Sequence, residues 1–466
     1  MDDSLTSLTL AKARDEIRAG RLSPLELTRA YLARIEALNP AINAYLHVAG
    51  ESALQEARKA TEAVAQGKPL GPLHGIPIGV KDLYDVRGMP TTAGSILLKD
   101  KIAAEDAFIV ERLRRAGAIL LGKLNMHEWA LGVTTVNPHF GACHNPWKLD
   151  YIAGGSSGGS GAALAAGMCL GSIGTDTGGS IRIPASLCGV VGLKPTYGRL
   201  SLNGVVPLSW SQDHAGPMAR NVEDVALLLA AVSGYDAGDP SSVDRRVEDI
   251  ASPVTSIHIP LQFKVGFPDE LFLGGNDPET RSAVEKAVAI IPALGCEVRE
   301  VSFEGYEKAM DASGLILQAE AAAYHSAHIL KHPDKIGVDV LERLRQGLEV
   351  TGTEYALARR IQVQWQRKMS LLFETVDLMV LPATPQPATP ITESEAVPLA
   401  RGQLTRFMRL FNLTGTPALV LPCGFTRSGL PIGLQIAGAA WSEAKLLQLA
   451  RAFEEATDWH HRQPPV

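Results

Sequence analysis

Three side chains in this chain have the types that together could make a nucleophile: Lys81, Ser156 and Ser180. A serine hydroxyl attacks a carbonyl only when a base takes its proton. Lysine becomes such a base when burial disfavours its ammonium form. Lys81 ends the apolar stretch Gly75-Ile76-Pro77-Ile78-Gly79-Val80, a suitable place for that burial. Ser156 and Ser180 stand in two glycine-rich segments, Gly154-Gly155-Ser156-Ser157-Gly158-Gly159-Ser160-Gly161 and Asp176-Thr177-Gly178-Gly179-Ser180. Glycine lets backbone N–H groups turn toward a common space. N–H groups of Thr177, Gly178, Gly179 and Ser180 are therefore expected to receive the oxygen of a carbonyl under attack.

Other chemistries compete for the same residues. A phosphate-binding loop would need Gly-Lys-Ser or Gly-Lys-Thr at the helix start, and that lysine is missing. Gly154-x-Ser156-x-Gly158 matches a nucleophile elbow, but Asn145-Pro146 and polar residues stand where a strand should lead into it. His127 and Glu128 suggest a metal pair, yet no second histidine follows His127 at the fourth position. No metal and no organic cofactor is expected.

The elements that must position these groups can be read from periodicity. Ser23-Pro24-Leu25-Glu26 opens a helix with a serine cap, an early proline and a glutamate three residues on. Residues 1–65 read as a helical layer, with Asn39-Pro40 stopping that helix. From Gly75 the pattern becomes strand, helix, strand: Gly75–Lys81, Asp106–Ala116 and Ala118–Leu121. Gly158–Ala166 is a helix of small residues, Cys169–Thr175 and Val190–Leu193 are strands, and Asn221 caps a helix to Val232. The second half alternates likewise, with strands at Lys264–Phe267, Cys296–Phe303, Asp377–Leu381, Ala418–Leu421 and Pro431–Ala437. Helices are expected at Asp277–Leu294, 307–332, 353–374 and from Ser442 onward, with a loop at 382–398. The pattern predicts one α/β body with parallel strand pairs and a helical N-terminal layer.

Length alone would allow about three domains, but no linker separates the 466 residues. The expectation is one body over 1–466: the N-terminal layer at 1–65, a catalytic core at 70–235, and a remainder at 236–466 that shapes the pocket. Hydrophobic residues are 46% and net charge is −6, which excludes a basic nucleic-acid footprint. The N-terminus lacks the basic, then apolar, start of a signal peptide, and no apolar run reaches the ~18 residues of a membrane span. Five cysteines without a C-x-x-C pair suit a reducing, cytoplasmic setting. A monomer or homodimer acting on a small molecule is expected.

The sequence resembles the amidase signature family. The hallmark glycine-serine block is present as Gly154–Ser160, a second block as Gly174–Arg182, and a lysine block as Gly75–Asp82. Gly122–Met126 and Gly189–Arg199 also match, so the resemblance covers most of the chain and is strongest from Gly75 to Arg220. It implies an α/β fold with a single large mixed sheet covered by helices on both faces, and amide hydrolysis by a Ser–cis-Ser–Lys triad: Ser180 the nucleophile, Ser156 the bridge behind a cis peptide bond, Lys81 the base. Asp176 would brace the 177–180 turn, and Arg182 would pair with a nearby carboxylate. Asn125–Gly132 resembles the family's substrate-facing loop, which makes Met126, Trp129 and Ala130 pocket candidates; Gly154, Gly155 and Trp210 join them.

The family acts on simple, aryl, fatty and peptide amides, carbamates and glutamine. The glutamine users are subunits of tRNA-dependent amidotransferases, and this chain is similar to them over its first 220 residues. It departs later. Those subunits carry an aspartate about seven residues before Asn-Leu-x-Gly, whereas here Asn412-Leu413-Thr414-Gly415 has Thr405 at that place. Their Tyr-rich helical signature is also absent from Glu354–Ala358. The expectation is therefore an amidase that works alone on an aryl or apolar amide, or a carbamate, with Phe407, Leu410 and Phe411 lining an apolar pocket. The alternative is the glutamine-hydrolysing subunit of an amidotransferase.

Overall fold

The computed structural model describes residues 4–245, 250–251, 254, 260–269, 274–392 and 403–466. Residues 393–398 of the expected 382–398 loop lie outside them. The strands are β1 Tyr45–Val48, β2 Pro77–Lys81, β3 Ile119–Leu124, β4 His144–Asn145, β5 Lys148–Ile152, β6 Gly171–Asp176 and β7 Val191–Lys194. They continue with β8 His214–Ala219, β9 Lys264–Pro268, β10 Glu297–Val301, β11 Leu378–Pro382, β12 Ala418–Phe425 and β13 Pro431–Gly438. Eleven of them form one sheet in the order β1-β3-β2-β6-β8-β7-β12-β13-β11-β9-β10, while β4 and β5 pair separately.

The sheet is mixed. β2 runs parallel to both β3 and β6, and β9 parallel to both β10 and β11. The middle, from β6 through β8, β7, β12 and β13 to β11, is antiparallel. Helices cover both faces, because the strands bury both. Along β11, Leu378 and Val380 join one apolar cluster, whereas Met379 and Leu381 join the other. That alternation is the two-residue period of a pleated strand.

Several elements differ from the periodic reading. The N-terminal layer holds β1 as well as helices, and Tyr45–Val48 pairs antiparallel with β3 at the sheet edge. Four residues are too few to display a strand period. The helix Pro24–Ile42 runs past Pro40, and Asn43, at φ 55°, ends it with its N–H on Asn39 O. β8 escapes detection because Gly216 and Pro217 are poor strand formers; β6 and β7 hold it from both sides. The helix Val338–Glu349 is a further element that the periodic reading lacks. Five of the other helices match their expected positions: Phe108–Arg115, Gly158–Ala165, Val222–Val232, Tyr306–Lys331 and Gly352–Thr375. All five cysteines are free and buried. Among the described residues, no helix is long and apolar enough to cross a membrane.

Candidate active site

The parallel strands β2 and β6 end side by side, and their C-terminal ends hold two of the candidate residues. Lys81 is the last residue of β2 and Asp176 the last of β6. The small-residue helix Gly158–Ala165 packs close enough to bring Ser156 to the same spot. A Cβ at Gly159 would lie 2.5 Å from both Ala44 O and Asn125 N, so only glycine permits that approach.

Lys81 is fully buried, and its Nζ donates to Ser156 Oγ at 2.7 Å and to Thr175 Oγ1 at 2.8 Å. Burial lowers its pKa from 10.5 to about 7, with Asp176 and Asp213 pulling weakly the other way. An amine near neutrality is what a general base needs. The Gly155–Ser156 peptide bond is cis. Ser157 ties the two serine segments together: its N–H donates to Ser180 O at 3.1 Å and its hydroxyl to Thr175 O at 3.1 Å. Among the described residues no hydrogen bond joins the Ser156 and Ser180 hydroxyls. Ser180 is 5% exposed and opens on a pocket of about 320 Å³.

The turn after β6 is held by Asp176. Its carboxylate accepts Gly179 N–H at 2.8 Å, Ile181 N–H at 3.2 Å and two donors of Arg182 at 2.8 and 2.9 Å. Burial alone would raise the Asp176 carboxyl, but Arg182 and Asn412 hold it far below the usual range. Arg182 reaches further, to Gln435 Oε1 at 2.6 Å, Asn412 Oδ1 at 2.7 Å and Met408 O at 3.1 Å. The bracing expected of Asp176 and Arg182 is thus one buried network. It also takes Gly179 out of the expected oxyanion donors, because that N–H is spent on Asp176. The N–H groups of Thr177, Gly178 and Ser180 have no hydrogen-bond partner among the described residues.

Sequence reasoning missed a second brace. Thr177 Oγ1 donates to Asp213 Oδ1 at 2.6 Å, and Asp213 Oδ2 accepts Leu208 N–H at 2.9 Å and Ser209 N–H at 3.0 Å. Burial raises the Asp213 carboxyl to about 6 against those hydrogen bonds. A lone aspartate in a polar loop carries no sequence signal.

The pocket candidates separate cleanly. Ala130 lines the pocket with Thr177, Gly178 and Ser180. Met126 is buried in the core, Trp129 is 1% exposed and stacks on His325 at 3.9 Å, and Trp210 is 47% exposed at the surface. Gly154 packs against Pro184, and Gly155 against Thr134, Thr135 and Val133; neither lines the pocket itself. Phe407, Leu410 and Phe411 are core residues of the second apolar cluster and do not line this pocket. The walls come instead from Gln318 on the helix Tyr306–Lys331, from Asp339, Glu342, Arg343 and Gln346 on Val338–Glu349, and from Thr405 and Arg409. The pocket is thus mixed in character: its apolar lining is Leu131, Val133, Leu208 and Leu317 rather than the expected Phe407, Leu410 and Phe411, with these polar and charged side chains beside it. His127 and Glu128 fasten this wall: His127 Nε2 pairs with Asp339 at 3.2 Å, and Glu128 accepts Gly337 N–H at 2.8 Å.

A buried near-neutral lysine on a serine, beside a second serine under spare N–H donors, is a device for acyl transfer. The Amidase family profile matches residues 26–447. The chain belongs to the amidase family and is a hydrolase of amide C–N bonds. It is 41% identical to a glutamyl-tRNA(Gln) amidotransferase chain of Roseiflexus sp., over 99% of each chain. A solved chain from a vestigial protein complex that reveals the origins of an s-triazine catabolic enzyme superposes with a TM-score of 0.91 at 35% identity, covering 96% of this chain and 98% of that one. 6-Aminohexanoate cyclic dimer hydrolase gives a TM-score of 0.90 at 33% identity, covering 100% and 99%.

Proposed function

We propose that the chain hydrolyses a small polar amide, with glutamine as the leading substrate, through an acyl-enzyme on Ser180. Neutral Lys81 takes a proton from Ser156 as Ser156 takes one from Ser180. The Ser180 oxygen attacks the carbonyl, and the N–H groups of Thr177, Gly178 and Ser180 receive the oxyanion. The relay returns the proton to the departing ammonia, and water then releases the acid. The Ser156–Ser180 hydrogen bond closes when substrate fills the pocket, as catalytic hydrogen bonds commonly tighten on binding.

The observation that carries the substrate reading is the pocket wall. Asp339, Glu342, Arg343 and Arg409 offer both signs of charge, as a zwitterionic amino acid requires. Thr405 lies in that wall, and the carboxylates of Asp339 and Glu342 supply the negative charge it lacks. Full-length likeness to amidotransferase subunits supports the same substrate and a role beside partner subunits. In this reading the whole chain acts as one amidase body in the cytoplasm, its part beyond residue 235 building the pocket.

A second reading keeps the chain at work alone, supported by likeness to 6-aminohexanoate cyclic dimer hydrolase. Purified chain, wild type and Ser180→Ala, is assayed on glutamine, an aliphatic amide, an aryl anilide and an aryl carbamate. Ammonia from glutamine, absent in the variant, is the expected result. Turnover of anilide or carbamate without glutamine would overturn the substrate reading and favour the second.

A further inference from the structure

One cation in the pocket makes no ion pair. Arg409 opens the short helix Arg409–Leu413, and its side chain crosses the space between the Ser180 turn and the helix Tyr306–Lys331. Two glycines lie against it. A Cβ at Gly178 would lie 3.5 Å from Arg409 Cγ, and one at Gly314 would lie 3.2 Å from its Nη1. Arg409 Nε is buried without a hydrogen-bond partner, and no ion pair among the described residues reaches the guanidinium. Burial and the like charge of Arg343 on the same wall disfavour its charged form, and Tyr306 and Asp311 only partly offset them. The contrast with Arg182 is sharp, since that guanidinium has a partner on every side.

A partly buried guanidinium without an ion partner, its Nε fully enclosed, is costly to the fold. It is also a planar fork shaped for a carboxylate, which it binds through two parallel hydrogen bonds. Its neighbour Gly178 is next but one to Ser180, so an anion held there sits a short acyl chain away from the attacked carbonyl.

We infer that Arg409 is the pocket's carboxylate receptor, and that the substrates are amides whose acyl chain ends in, or carries, a carboxylate. The inference rests on the amide-hydrolysis reading but is tested without turnover. Glutarate carries one carboxylate for the Ser180 end and one for Arg409, whereas butyrate carries only the first. Calorimetry on the Ser180→Ala protein should find glutarate bound roughly 30-fold or more tighter than butyrate, the loss expected when one partner of a buried charged pair is removed. Adding Arg409→Gln or Arg409→Met should bring that ratio near one, with melting curves confirming the fold, and Arg409→Lys should restore part of it. A ratio near one in Ser180→Ala itself would overturn the inference, and so would a ratio unchanged by Arg409→Gln. Failure of the wild type to hydrolyse any amide would sink the proposed function and leave this binding comparison standing.

Discussion

Lys81 is the group whose titration should be visible in the rate. Burial places its pKa at about 7 instead of 10.5. Below that value Lys81 is an ammonium ion and cannot take a proton; above it the amine is free. With one such group, kcat/KM should rise about tenfold per pH unit from pH 5 to 6, bend near 7 and level off by 8. Asp213 opposes the lowering of Lys81, because its negative charge favours the ammonium form. Asp213→Asn should therefore move the bend to lower pH. Lys81→Met should cost about 10²–10⁴ in kcat, the usual worth of a general base. The same change should stabilise the fold. Holding a lysine at a pKa of about 7 costs roughly 4 kcal/mol at pH 7, since the unfolded chain binds the proton and the folded one resists it. That cost falls away as pH rises toward 10.5, so the Tm advantage of Lys81→Met should shrink between pH 7 and 10. Ammonia release from pH 5 to 9, with calorimetric melting of both proteins, measures all of this. A flat profile, a bend unmoved by Asp213→Asn, or full activity in Lys81→Met would refute the reasoning.

Two further changes test the braces of the turn. Thr177→Val removes one buried hydrogen bond to Asp213, worth about 1–2 kcal/mol, and should lower kcat about tenfold with little change in KM if the turn positions the oxyanion donors. Equal losses in kcat from a distant core variant of the same Tm would assign the effect to stability alone. Arg182→Met leaves the buried Asp176 carboxylate without its main partner. It should cost about 3–5 kcal/mol, read as a lowered Tm or as insoluble protein; a Tm within a degree of wild type would contradict the network described.

The chemistry was more legible than the specificity, for physical reasons. Lys81, Ser156 and Ser180 lie on short glycine-rich segments whose backbone geometry only certain residues permit, so their neighbours in sequence announce them. Asp176 and Arg182 are six residues apart in the same segment, and their pairing follows from that closeness. The pocket wall is assembled differently. Arg409, Asp339 and Gln318 come from separate helices of the second half, ordinary amphipathic segments in which an inward charge looks like an outward one. Phe407, Leu410 and Phe411 share a short helical stretch with Arg409, yet they turn into the core while Arg409 turns toward Ser180. Only the fold reveals which face is which. The same holds for β8, whose Gly216 and Pro217 read as a loop until two strands flank it.

The central claim is that Ser180 is the nucleophile and Lys81 its base through Ser156. Phenylmethylsulfonyl fluoride, which sulfonylates an activated serine, followed by peptide mapping, tests it most directly. The account predicts one adduct, on Ser180, forming with loss of activity and greatly slowed in Lys81→Met and Ser156→Ala. An adduct on Ser156 or Ser157, or labelling of Ser180 at an unchanged rate in Lys81→Met, would contradict it.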